Sequence, residues 1–114
     1  MALIFKIVAA EEWRAAQAQG VFAGSAVDRL DGYIHFSTAE QAPETAARWF
    51  ARRDDLVLAA VEAQALGAAL RWEPSRGGAL FPHLYGVLAL SALSWVRPLP
   101  LDPDGRHVFG DLAC

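Results

Sequence analysis

The 114 residues are 54% hydrophobic and 20% charged, which suits one folded core and excludes a disordered chain. Lys and Arg number 10 against 13 Asp and Glu, for a net charge of -3. The clusters Arg52-Arg53 and Arg71…Arg76 are too sparse to track a phosphate backbone, which argues against a nucleic-acid partner.

Leu3 to Val8, rich in Ile, Val and Phe, reads as a strand. Lys6 interrupts it and Glu11-Glu12 follow it, so the opening segment does not read as a signal peptide. Glu11 to Gln19 reads as a helix, with acids at its positive end, Gly20 just past its last residue, and Trp13 packed inward. Val21 to Leu30 reads as loop with a little strand, and Asp31-Gly32 as a turn. The stretch Gly32-Tyr33-Ile34-His35-Phe36-Ser37 follows. Strand alternation puts Ile34 and Phe36 on a core face, and Tyr33, His35 and Ser37 on the face lining a pocket.

Ser37-Thr38-Ala39-Glu40 matches a capping box. Pro43 disrupts a continuous helix, so a turn over Thr38–Gln41 precedes a helix from near Pro43, with Pro43, Ala46, Ala47 and Phe50 on its apolar stripe. Asp54-Asp55 ends that helix. Leu56 to Val61 is apolar throughout and reads as a central strand covered on both faces. Ala63 to Leu66 reads as a helical turn and Ala69 to Glu73 as a strand stopped by Pro74. Leu80 to Gly86 reads as irregular extended chain, and Val87 to Leu90 and Leu93 to Arg97 as further strands.

Gly77 to Val96 holds no Asp, Glu, Lys or Arg, but its glycines and Pro82 fit buried strands and turns, not a membrane span. A soluble cytosolic protein without a membrane partner is the expectation. From Pro98 the spacing of Pro98, Pro100 and Pro103 with Asp104-Gly105 describes an exposed tail without ladder pairing. The whole is a single small α+β domain over 1–97. It has a curved, split, mostly antiparallel sheet and two main helices. Residues 98–114 are a Pro-rich tail packed on or extending from it. Trp49, Trp72 and Trp95 are expected in the core. Cys114, the only cysteine, cannot form an internal disulfide, and no catalytic thiol is expected there.

Three strand-like segments carry polar groups against an apolar background: His35 with Ser37, Arg71 with Glu73, and His83 with Tyr85. A strand-held His at a cleft can bind a ligand hydroxyl or move a proton. Glu73 can polarise a ribose hydroxyl or stabilise developing positive charge. Tyr33 or Tyr85 can stack on a ring, and Arg71 or Arg76 can hold a phosphate. Plainer roles stand beside these. His35 can be a structural hydrogen-bonder, His83 can close a turn after Pro82, and Glu73 can pair with Arg71 or Arg76. His107 has no catalytic role. His35, His83 and Glu73 are zinc ligand types, but no metal-binding spacing supports them and no metal is expected. Ser37 sits in no Gly-x-Ser-x-Gly elbow, and no phosphate-binding glycine loop is present.

At Gly32-Tyr33-Ile34-His35-Phe36-Ser37-Thr38-Ala39-Glu40-Gln41 the chain resembles a bacterial domain-of-unknown-function family, number 952. Trp13…Gly20, Asp55-Leu56-Val57-Leu58, Trp72-Glu73 and Phe81-Pro82-His83-Leu84-Tyr85-Gly86 extend the resemblance to about Val96. It implies the split-sheet fold of the ADP-ribosyltransferases and NAD as a substrate. His35 corresponds to that superfamily's early-strand ribose contact. Its later catalytic Glu has no counterpart after Phe81–Gly86, since Glu73 lies before that segment. The expected function is NAD or nucleotide binding with ADP-ribosyl- or phosphoribosyl-type transfer, the alternative a non-catalytic small-ligand module. The catalytic candidates are His35, Glu73 and His83. The ligand-binding candidates are Tyr33, Ser37, Gln41, Arg71 and Tyr85.

Overall fold

The computed structural model describes residues 2–112; Cys114, and with it the expectation about its thiol, lies outside the described residues. In chain order the elements are β1 (Leu3–Ala9), α1 (Ala10–Gln19), β2 (Val21–Phe22), α2 (Ala26–Asp31), β3 (Ile34–His35), α3 (Ala42–Trp49), β4 (Leu56–Glu62), β5 (Leu70–Pro74), β6 (Leu80–Leu84), β7 (Leu88–Ala89) and β8 (Leu93–Pro98). The named strand pairs are antiparallel. They form one sheet in the order β1-β4-β8, a second in the order β3-β6-β5, and a short β2-β7 pair. Two backbone hydrogen bonds of 2.8 Å between Phe5 and Ser37 join the first two sheets where β3 ends. The architecture is α+β.

The period of two along β1 and β4 sorts their side chains onto two faces. Ile4, Val8, Ala59 and Val61 join Trp13 and Ala16 of α1 and Phe22, Ile34, Phe36, Leu84 and Leu88 in one core. Phe5, Ile7, Leu58 and Ala60 join Ala46 of α3 and Leu99 in the other. The apolar run Leu56–Val61 is thus covered on both sides, as its composition implies. Among the described residues, no helix is long and apolar enough to cross a membrane.

Five expectations are corrected. Val21–Leu30 is not mainly loop, because α2 starts there. Ser25 and Asp28 form a reciprocal capping box, and Gly32 closes the helix at φ 90°. The signal was present as Ser25-x-x-Asp28, with the shorter acid standing where Glu or Gln is usual. Gly24 (φ 107°) is required just before it, because a Cβ there would sit 2.9 Å from that of Asp28.

The capping box expected at Ser37…Glu40 lies one residue on. The Thr38 N–H donates to Gln41 Oε1 at 3.0 Å, and the Gln41 N–H to Thr38 Oγ1 at 3.2 Å. The buried stripe of α3 is Ala42 and Ala46, not one running through Pro43 and Ala47.

Trp49 is 65% exposed and Trp72 is 43% exposed, so neither is core. Trp49 continues the Ala42–Ala46 stripe into the last helical turn, where core gives way to a cleft. Trp72 lies on β5, an edge strand. Trp95 does pack inward, tilted 5.8 Å from Phe5.

The segment from Pro98 is not a bare tail. Leu99 is buried and its N–H donates to the Leu56 carbonyl at 3.0 Å. Leu101 bridges His107, and Phe109 and Leu112 cover the second core. His107 Nε2 lies 2.8 Å from the Arg53 carbonyl, a structural contact. The prolines broke the strand pattern, but the leucines, Val108 and Phe109 between them supply apolar cover.

Candidate functional site

The second sheet brings the three polar segments together. His35 on β3 is in register with His83 on β6, and His83 with Arg71 on β5. Ile34 and Phe36 point into the core, while the His35 side chain remains 32% exposed. It looks into a cleft of about 570 Å³ between β1, α2, β3 and α3. Tyr33, His35, Ser37 and His83 line this cleft. Glu73, Arg71 and Tyr85 gather behind His83, outside the lining.

Tyr33 lies at the centre of an aromatic cluster. Its ring stacks on His83 at 4.1 Å between centroids and lies 4.7 Å from His35 and 5.2 Å from Tyr85. The two imidazoles meet edge to face at 5.5 Å. Burial, with Asp31 and Glu73 nearby, pushes the Tyr33 hydroxyl up from the ordinary tyrosine value.

Each imidazole has its own carboxylate partner. His83 Nδ1 lies 2.8 Å from Glu73 Oε1, and the Tyr85 hydroxyl donates to that same oxygen at 2.8 Å. These two bonds, the His83 one first, hold the Glu73 carboxyl below the usual range. Glu73 therefore pairs with His83 and Tyr85, not with Arg71, whose guanidinium lies over the Tyr85 ring at 4.7 Å.

His35 stands between two acids. Its Nδ1 is 2.6 Å from Asp28 Oδ1, its backbone N–H donates to the same oxygen at 3.1 Å, and its Nε2 is 2.9 Å from Asp31 Oδ2. Asp28 fixes the ring's orientation, and Asp31 occupies the nitrogen on the other side.

Asp28 is buried and meets Lys6, also buried, at 3.0 and 2.9 Å through its two oxygens. Burial would raise its carboxyl, but the His35 ring, the Lys6 ammonium and the Ser25 N–H outweigh that and hold it far below the usual value. Burial pulls the Lys6 ammonium down, and Asp28 opposes it.

Two candidates have plainer work. Ser37 Oγ is 2.9 Å from Thr45 Oγ1, which ties β3 to α3. Gln41 Nε2 donates to the Leu80 carbonyl at 2.8 Å and does not reach the lining. The residues that sequence reasoning missed are Lys6, Asp28 and Asp31. Lys6 was visible as a charge inside an apolar strand. Asp28 was hidden because its segment read as loop. Among the described residues, no group of three or more His, Cys, Asp or Glu is arranged to hold a metal ion. A smaller hollow of about 170 Å³ lies against α1, lined by Gln19, Phe22 and Arg29 among others.

A family model described as "Protein of unknown function (DUF952)" matches residues 7–96. The crystal structure of protein CC0527 from Caulobacter crescentus is similar at TM-score 0.91 and 57% identity, covering 96% of each chain. A double methionine mutant of that protein gives TM-score 0.91 and 55% identity over 96% of each chain. Its solution NMR structure gives TM-score 0.84 and 57% identity, covering 93% of this chain and 91% of that one. These structures are described as structural genomics targets. No curated protein matches the chain.

Proposed function

The chain belongs to the DUF952 family, and we propose that it binds NAD or a related nucleotide in the His35 cleft and carries out ADP-ribosyl- or phosphoribosyl-type transfer there. The observation that carries this reading is the His35 ring, oriented by buried Asp28 and presented at the wall of a cleft of about 570 Å³. A likeness to the ADP-ribosyltransferase fold is part of the proposal. It is supported by two three-stranded antiparallel sheets joined by one bridge, with the cleft opening where β1 and β3 part.

In this reading a ribose hydroxyl takes the place of the half-exposed Asp31 carboxylate at His35 Nε2, and Tyr33 offers a ring face. The bond from ribose C1′ to the nicotinamide nitrogen breaks, and nicotinamide leaves with the electron pair. The acceptor's oxygen or nitrogen forms the new bond, and its proton passes to His83, whose ring Glu73 orients. One observation favours a second reading, a binding module without turnover. Glu73 stands behind His83, with one oxygen already engaged by both His83 and Tyr85.

Titration calorimetry with NAD and ADP-ribose tests the binding claim. The wild type is expected to bind saturably and His35→Ala about tenfold more weakly, the scale of one lost hydrogen bond. No saturable binding by the wild type would end the proposal. Release of nicotinamide from NAD distinguishes transfer from binding alone.

A further inference from the structure

We infer that the cleft recognises its ligand through a planar ring of neutral or positive charge stacked on Trp49, and that the ligand's phosphates remain outside. This rests on the nucleotide reading above and names which part of the nucleotide enters.

The first ground is the indole itself. Trp49 ends α3, lines the cleft and is 65% exposed. Its exposed face lies on the cleft lining together with other apolar side chains and is not a lone surface residue. Phe50 and Val27, the latter 55% exposed, line the same cleft, so the entering ring meets further apolar surface there. An aromatic face accepts a nucleobase or a nicotinamide ring with little demand for hydrogen-bond matching.

The second ground is the state of the cations. Four basic side chains line the cleft among the described residues: Lys6, His35, Arg53 and His83. Each already holds a carboxylate. Lys6 meets both oxygens of Asp28, and His35 lies between Asp28 and Asp31. Arg53 donates to both oxygens of Asp55 at 3.0 and 2.8 Å, and His83 meets Glu73. Glu12 and Asp31 add negative charge to the lining itself. A phosphate entering here must share these cations with the carboxylates already on them, and so sits beside like charge. A neutral base or a pyridinium ring meets no such conflict, and a pyridinium over Trp49 gains a cation–π attraction.

Calorimetry on the full chain tests this with adenosine, nicotinamide riboside, their 5′-monophosphates and NAD. At least one nucleoside is expected to bind the wild type about as tightly as its monophosphate. Trp49→Ala is expected to weaken that nucleoside about ten- to hundredfold, the range of one lost stacking contact. Trp49→Phe should retain most of the affinity. Which nucleoside responds tells adenine from nicotinamide recognition. A monophosphate binding more than about tenfold tighter than its nucleoside would overturn the inference. So would unchanged affinity in Trp49→Ala. If NAD binds and Trp49→Ala does not weaken it, the nucleotide reading stands and this inference falls. If a nucleoside binds and NAD does not, the nucleotide reading falls and this inference stands. Binding by none of the probes overturns both.

Discussion

Asp28→Asn is expected to destabilise the protein by about 3–5 kcal/mol, the usual cost of removing one partner from a buried ion pair. The pair is enclosed on both sides, since Lys6 and Asp28 are both buried. An amide at position 28 keeps one acceptor oxygen, so it can take the Ser25 or the His35 N–H but not both, and it cannot neutralise Lys6. A buried ammonium left without its counter-charge is the main cost. Urea unfolding measures the loss, and a change below about 1 kcal/mol would contradict the account. The double variant Lys6→Met/Asp28→Asn should recover much of it, because no buried charge then remains.

The same carboxylate gives the protein an acid limb. Its folded pKa lies far below its unfolded value of about 3.9. The stabilisation it provides is therefore complete above about pH 4 and declines as pH falls toward the depressed folded value. The stability gap between wild type and Asp28→Asn should be constant near neutrality and narrow below about pH 4.

Phe36→Ala is the second large effect, expected at about 3–5 kcal/mol, in the range for truncating a buried Phe. β3 has only two ladder residues, Ile34 and His35, extended by the Phe36 N–H to Pro82 carbonyl bond and the Phe5–Ser37 bridge, so side-chain anchorage adds to a short set of backbone bonds. Ile34 and Phe36 provide it from the buried face. Losing the larger anchor opens a cavity under the strand that presents His35. Unfolding by urea gives the energetic cost, and a value near zero would mean that β3 is held some other way.

The long regular elements were readable because their patterns are local. Leu3–Val8, Glu11–Gln19 and Leu56–Val61 each carry enough apolar or helical signal to be placed within a residue or two. That His35 faces away from the core was legible from alternation in its own stretch, but its pairing with His83 was not, because Leu80–Gly86 read as irregular chain whereas Leu80–Leu84 is the central strand β6. α2 has six residues and no apolar stripe, and its exposed Val27 and Leu30 suggest nothing buried. Only its capping residues mark it. Missing α2 also hid Asp28 as the partner of Lys6, a contact across 22 positions that no local pattern reports. Trp49 misled because size argues for burial, whereas exposure depends on where the core ends. The segment after Pro98 misled because prolines punctuate strands without preventing leucines from packing.

Nuclear magnetic resonance of the imidazole rings during titration with NAD tests the central claim most directly. The account predicts that the His35 ring resonances move saturably with added nucleotide, followed by those of His83 behind Tyr33, while His107 stays still. Saturating NAD that leaves the His35 ring unmoved would contradict it.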